Sequence, residues 1–127
     1  GGGGRPNYDT VSVSLAEKAL NKAQLPANIM IDCSHANSWK NHDFQPLVLK
    51  DVAHQIREGN TSIIGVMIES FIEAGNQAIP EDRSQMLYGC SVTDACINWP
   101  TTERILTEMR ELLKTPLLHR HESRSKA

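Results

Sequence analysis

The sequence predicts an α/β fold built on parallel β-strands. Segments with apolar residues at helical spacing alternate with short apolar runs, in the order helix, strand, helix, strand, long loop, helix. Both short runs, 28–33 and 62–68, are almost continuously apolar, which is typical of strands covered on both faces. Because two strands form a poor sheet alone, we expect them to be part of a larger sheet.

The first predicted helix follows Asp9 or Thr10, either of which can cap its N-terminus. Its apolar side chains recur at helical spacing, at Val11, Leu15, Ala16, Ala19 and Leu20. Pro26 marks its end, because proline does not continue a helix. The first strand, 28–33, comes next.

The second predicted helix begins near Pro46, since proline is tolerated in the first turn of a helix. Gly59 provides a stop after its C-terminus. The buried stripe of this helix comprises Val48, Leu49, Val52, Ala53 and Ile56. The second strand, 62–68, follows at once. The stretch 69–91 lacks a sustained period and exceeds an ordinary connection, which is typical of a functional loop.

The last predicted helix runs over about 101–113, with one apolar face formed by Ile105, Leu106, Met109, Leu112 and Leu113. Residues 115–127 show little periodicity and several charges, which predicts a flexible tail. The chain is therefore divided into a structured segment, 1–114, and a tail, 115–127.

The composition argues against several functional classes. Thirteen Lys and Arg against 15 Asp and Glu give a formal net charge of −2, which disfavours nucleic-acid binding. The apolar runs are far shorter than the roughly 20 residues needed to cross a bilayer. Three cysteines, Cys33, Cys90 and Cys96, lack CxxC spacing and follow no secretory segment, which indicates a reducing, cytoplasmic compartment.

Polar side chains follow both predicted strands. His35 comes after the first strand and Glu69 after the second, and the carboxyl ends of adjacent parallel strands meet at one edge of a sheet. Asp94 lies in the segment 91–96, which continues the loop after the second strand and can fold back over that edge. One imidazole and two carboxylates suit Mn²⁺, Fe²⁺ or Zn²⁺. The pattern therefore predicts a site for a Lewis-acid metal.

Each of these residues also has a plainer interpretation. A histidine at a strand end is more often a hydrogen-bonded structural residue than a ligand. The pattern alone favours Asp94 as the cap of a short helical turn over 93–97. Asp32 can orient His35 or a neighbouring basic residue. Glu69 is hardest to explain structurally, because an unpaired carboxylate at a buried strand end is costly.

Five blocks of sequence stand out by their order and spacing: RPNY (5–8), MIDCSHANS (30–38), IGVMIES (64–70), GNQ (75–77) and YGCSVTDAC (88–96). Together they resemble the C-terminal part of type I 3-deoxy-D-arabino-heptulosonate 7-phosphate (DAHP) synthases, a family of transferases. The resemblance extends to about Leu113. It implies the C-terminal portion of a TIM-type (β/α)₈ barrel, with the predicted strands as the seventh and eighth.

The resemblance implies a metal-dependent condensation of phosphoenolpyruvate with erythrose 4-phosphate, which gives DAHP and phosphate at the start of the shikimate pathway to the aromatic amino acids. It places His35, Glu69 and Asp94 at metal-ligand positions, with Mn²⁺ or Fe²⁺ as the metal and with His35 and Asp94 as catalytic residues. Cys96 would lie near the sugar phosphate and bind substrate, although a small buried apolar role suits it equally well.

The resemblance also implies what this sequence lacks. The family's fourth ligand, a cysteine, and most of its phosphate-binding residues belong upstream, with Gly1 to Gly4 as the remnant of an Arg-Gly-Gly pattern. We therefore expect the isolated chain to be inactive, to require the N-terminal barrel segment as a partner, and to form homo-oligomers. The alternative is a non-catalytic self-assembling or interaction module. Cys33 or Cys90 could be suggested as a replacement for the family's cysteine ligand, but neither matches its position. In addition, side chains alternate along a strand, so Cys33 lies on the side opposite Ser34.

Overall fold

A computed structural model describes residues 4–127; most of the predicted glycine remnant lies outside this range. These described residues form three α-helices and two strands: α1 (Thr10–Lys22), β1 (Ile29–Asp32), α2 (Gln45–Arg57), β2 (Ile63–Met67) and α3 (Trp99–Ser125). The strands pair in parallel, with Asp32 opposite Met67 and a register shift between Ile29 and Met30. The predicted α/β alternation and parallel pairing are confirmed.

The first two helices begin and end where local chemistry predicts. Asp9 caps α1, since its carboxylate accepts the Ser12 backbone N–H at 3.1 Å. Pro46 lies in the first turn of α2, and Gly59 follows that helix with a φ of +111°, a conformation that glycine adopts without a steric penalty. All five residues of the predicted α2 stripe are buried.

A single apolar core joins the helices to one face of the sheet. The α2 stripe packs with side chains from the other helices, from both strands and from the segments that follow β1 and precede α3, namely Val13, Ile31, Cys33, Ile63, Ile97, Ile105 and Leu113. The opposite face is open: Met30 is 66% exposed and Ile64 is 54% exposed. Within residues 4–127 only one of the two predicted coverings is therefore present, because the helices pack on one face only.

The last helix is longer than predicted. It extends over Trp99–Ser125, so residues 115–125 continue the helix rather than form a flexible tail. Arg120 explains part of this difference, because its guanidinium donates to the carbonyl oxygens of Ile63 (2.8 Å) and Asn60 (2.5 Å) and so fixes the added turns to the start of β2. No helix within residues 4–127 is long and apolar enough to cross a membrane.

The long loop after β2 folds back on itself. Isolated bridges join Ser70 to Ile97, Gly75 to Cys96, and Asn76 to Ser91. Residues 93–97 form bends and bridges rather than a helical turn, so the interpretation of Asp94 as a helix cap is wrong. Gly89 is required where the loop doubles back, because a Cβ there would lie 2.8 Å from the Cβ of Ile72.

Cys33 provides a test of the core at alkaline pH. Burial, with a contribution from the charge of Asp32, raises the pKa of its thiol from 9.0 to about 12. Stability is then fully present below pH 9.0 and declines as the pH rises toward about 12, since only the unfolded chain releases the proton. We expect the free energy of unfolding to fall by up to about 1.4 kcal/mol per pH unit over this range.

Urea titrations at several pH values measure this slope. A Cys33→Ala variant with an unchanged slope would contradict the assignment.

Candidate metal centre

Three side chains from separate parts of the chain converge at the carboxyl edge of the sheet. His35 Nε2 lies 3.4 Å from Glu69 Oε1 and 3.4 Å from Asp94 Oδ2. One potential ligand atom from each residue lies within 4.8 Å of the other two. In the described part of the chain, no other cluster of three or more His, Cys, Asp or Glu side chains meets this geometry. The three residues that the sequence suggested as ligands are thus brought together.

Glu69 is held from both its side chain and its backbone. Ser34 Oγ donates to Glu69 Oε2 at 2.5 Å. The fully buried amide of Gln45 donates to the Glu69 carbonyl at 3.0 Å and accepts the Glu69 N–H at 2.8 Å. Neither Ser34 nor Gln45 was predicted from the sequence to support the site. The sequence feature that could have indicated a role for Gln45 is its position: a polar amide beside Pro46, at the start of an otherwise apolar helix face.

Asp32 contacts His35 directly, in the orienting position suggested for it. Its Oδ2 lies 2.8 Å from His35 Nδ1, while its Oδ1 accepts the Ser34 N–H at 2.7 Å. When His35 Nδ1 donates its proton to Asp32, the other ring nitrogen, Nε2, carries a lone pair. That nitrogen faces the carboxylates of Glu69 and Asp94. The hydrogen bond to Asp32 raises the pKa of His35, as do the nearby negative charges, whereas burial opposes this rise.

The backbone around His35 is in an unusual conformation. His35, Trp39 and Lys40 have φ values of +50°, +53° and +56°. Left-handed backbone costs roughly 1–2 kcal/mol for a residue other than glycine and is concentrated at functional sites. The Lys40 N–H donates to the His35 carbonyl at 2.9 Å, and Asn37 Oδ1 accepts the Asn7 N–H at 2.7 Å. These contacts keep the strained turn in place beside the candidate centre.

The three side chains line a cleft of about 240 Å³, together with Ser34, Lys40, Asn76 and Ala95. Asn76 helps to place Asp94, because its amide donates to the Thr93 carbonyl at 2.9 Å. The side chain of Asp94 is the most exposed of the three, at 57%. An imidazole nitrogen and two carboxylate oxygens fit Mn²⁺, Fe²⁺ or Zn²⁺ and leave coordination positions open.

The cysteines lie outside this cleft. Cys33 is fully buried in the apolar core, so it is not available as a substitute thiolate ligand. Cys90 and Cys96 line a different cavity of about 560 Å³, beneath the long loop. Cys96 Sγ lies 3.6 Å from the Asp94 carbonyl oxygen, and burial is the main cause of its raised pKa. Cys96 is therefore a neighbour of the cluster rather than a member of it.

Replacing Asp32 with asparagine is expected to weaken Mn²⁺ binding by about 10- to 100-fold. An asparagine amide can donate to His35 Nδ1, which would move the imidazole proton to Nε2, where the metal would bind. Titration of Mn²⁺, followed by electron paramagnetic resonance, measures the change. The matched control is Asp43→Asn, since Asp43 also lies beside an imidazole, 3.5 Å from His42 Nε2, but outside the cleft. Equal affinities for the two variants would contradict the role of Asp32.

Comparisons with known proteins identify the family of this chain. The model of the DAHP synthetase I family matches residues 1–107. The chain is 51% identical over 113 residues to a Tyr-sensitive phospho-2-dehydro-3-deoxyheptonate aldolase of Enterobacter agglomerans, covering 89% of this chain and 53% of that protein. It is 48% identical over 119 residues to the Tyr-sensitive aldolase of Escherichia coli K12, covering 94% of this chain and 33% of that protein.

A solved structure of phospho-2-dehydro-3-deoxyheptonate aldolase from Francisella tularensis SCHU S4 superposes with a TM-score of 0.82 at 39% identity, covering 88% of this chain and 32% of that chain. The chain thus spans about half the length of the E. agglomerans relative and about a third of the E. coli and F. tularensis relatives. The family match and these identities lead to one conclusion: the chain belongs to the DAHP synthetase I family.

Proposed function

We propose that this chain forms the seventh and eighth strands of a DAHP synthase barrel, with their flanking helices, and carries three of its metal ligands. The observation that carries the proposal is the convergence of His35, Glu69 and Asp94 at the carboxyl edge of two parallel strands, in a member of this family. Active sites of α/β barrels lie at this edge. The proposed metal is Mn²⁺ or Fe²⁺.

The proposed reaction joins phosphoenolpyruvate to erythrose 4-phosphate and releases DAHP and phosphate. When bound, the metal supplies Lewis-acid polarisation of the aldehyde carbonyl. The residues of this chain position and constrain that centre. Asp32 keeps the Nδ1 proton on His35, while Ser34 and Gln45 fix Glu69.

The three proposed ligands differ in their exposure to an incoming substrate. His35 and Asp94 have side chains that are 42% and 57% exposed, compared with 24% for Glu69. We therefore assign His35 and Asp94 to the substrate-facing, catalytic side of the centre. Cys96, whose thiol contacts the Asp94 carbonyl, is assigned to the sugar-phosphate end of the site.

The remaining ligand and most of the phosphate-binding residues are proposed to come from the part of the family barrel that this sequence does not match. The open sheet face supports such a partner. Met30 and Ile64 are more than half exposed, although both lie on strands. Apolar side chains on an open strand favour pairing with further strands.

A second candidate function rests on the same exposed face. Copies of the chain can cover Met30 and Ile64 by associating with one another, as a non-catalytic, self-assembling module. This alternative predicts an oligomer in which the face is buried. A monodisperse, folded monomer in light scattering would contradict it.

Association with the rest of the barrel tests the main proposal. We expect a tagged fragment of the E. coli relative, comprising the part that this chain does not match, to capture the chain when both are co-expressed. Met30→Glu should abolish capture, because a buried unpaired charge is strongly unfavourable. Lys18→Glu, at an exposed polar position on α1, is the control and should leave capture unchanged. Failure of the wild-type chain to associate would overturn the proposal.

A further inference from the structure

Lys40 is a feature of the cleft that the proposed metal centre does not use. It lines the cleft with His35, Glu69 and Asp94, and it is the one permanently cationic side chain among the lining residues. Two carboxylates in the same cleft would be natural partners for its ammonium group. Within residues 4–127, however, no ion pair or side-chain hydrogen bond involves Lys40; Glu69 and Asp94 are directed at His35 instead. Its three N–H donors are thus available to a ligand.

The backbone holds Lys40 at this position at an energetic cost. Trp39 and Lys40 are consecutive left-handed residues, and the Lys40 N–H is bonded to the carbonyl of His35. Glycine or asparagine would adopt this conformation more easily. A lysine in this strained conformation, beside a proposed ligand, is consistent with a use of its side chain in the cleft.

The charges in the cleft indicate which kind of ligand the Lys40 side chain would bind. Glu69 and Asp94 together offset the two positive charges of a divalent cation. Asp32 lies behind His35, engaged with its Nδ1 and with the Ser34 N–H. Lys40 therefore remains as the positive charge that faces an incoming ligand. An ammonium group with free donors in a small cleft suits an oxyanion.

We propose that Lys40 binds an oxyanion group of the substrate, a phosphate or a carboxylate, beside the bound metal. The inference rests on the proposed function for the metal itself. It adds a substrate-binding residue, carried by this chain, next to the ligand that Asp32 orients.

Opposite effects on the binding of Mn²⁺ and of anions test the proposal in the 127-residue chain. In Lys40→Gln, we expect Mn²⁺ to bind about two- to fivefold more tightly, because a neighbouring positive charge is removed. We expect inorganic phosphate to bind the Mn²⁺-loaded variant about tenfold more weakly. Lys40→Arg should stay close to wild type. Lys50→Gln, an exposed lysine on α2 outside the cleft, is the matched control.

Calorimetric titrations with Mn²⁺, then phosphate, then pyruvate separate the outcomes. Weaker binding of phosphate alone assigns Lys40 to a phosphate group, whereas weaker binding of pyruvate alone assigns it to a carboxylate. Weaker binding of both supports a general oxyanion role. Unchanged anion binding in Lys40→Gln, or a loss of both Mn²⁺ and anion binding, would overturn the proposal. If the wild-type chain binds no Mn²⁺ even when it is co-purified with the unmatched part of the E. coli relative, the proposed metal centre fails instead.

Discussion

Replacing Glu69 with glutamine is expected to weaken Mn²⁺ binding by about 100-fold or more, equivalent to roughly 2.7 kcal/mol. Glu69 has the most enclosed of the three proposed ligand side chains, and contacts from Ser34 and Gln45 fix it on both sides. Glutamine keeps the size of the side chain and an acceptor for Ser34 but removes the negative charge. The change therefore isolates the charge of the ligand rather than its packing.

Isothermal titration of Mn²⁺ into the two proteins provides the comparison. Glu73→Gln is the matched control, because Glu73 is an exposed carboxylate in the same loop and does not line the cleft. It should bind Mn²⁺ as the wild type does. An affinity of Glu69→Gln equal to that of this control would mean that the cluster is an ion-paired group rather than a metal centre.

Replacing Gln45 with leucine is expected to destabilise the folded chain by about 1–3 kcal/mol. The fully buried amide of Gln45 pairs with both the N–H and the carbonyl of Glu69. Leucine would leave the N–H without a partner, whereas the carbonyl would still accept the Ile97 N–H at 3.1 Å. Leucine has a similar volume, so a cavity would contribute little. Because Glu69 would lose its backbone support, Mn²⁺ affinity should fall as well.

Urea unfolding of the two proteins measures the loss of stability. Gln85→Leu, at an exposed position in a short 3-10 turn, should change the free energy of unfolding by no more than about 0.5 kcal/mol. A Gln45→Leu variant as stable as this control would show that water replaces the amide without cost.

The order of elements and the location of the site were accessible from sequence because they follow local rules. Capping by Asp9 and the apolar stripe of α2 determine helices within a few residues. The carboxyl ends of paired parallel strands meet at one edge, which brings His35 and Glu69 together. Asp94 was harder to place, since its position depends on how a long loop folds back through isolated bridges.

Features that depend on contacts distant in sequence were not accessible. Arg120 anchors the extension of α3 to carbonyl groups about 60 residues earlier in the chain, and no periodicity in 115–127 signals this contact. Gln45 supports Glu69 across 24 residues. The open sheet face was also unexpected, because an apolar strand sequence does not reveal which of its neighbours are present.

Phosphate release is the measurement that tests the central claim most directly. The chain alone, supplied with phosphoenolpyruvate, erythrose 4-phosphate and Mn²⁺, should release no phosphate above background. The chain co-purified with the unmatched part of the E. coli relative should release phosphate, and a chelator or Glu69→Gln should abolish this activity. A folded, Mn²⁺-loaded complex that releases no phosphate would contradict the proposed function, as would chelator-insensitive release.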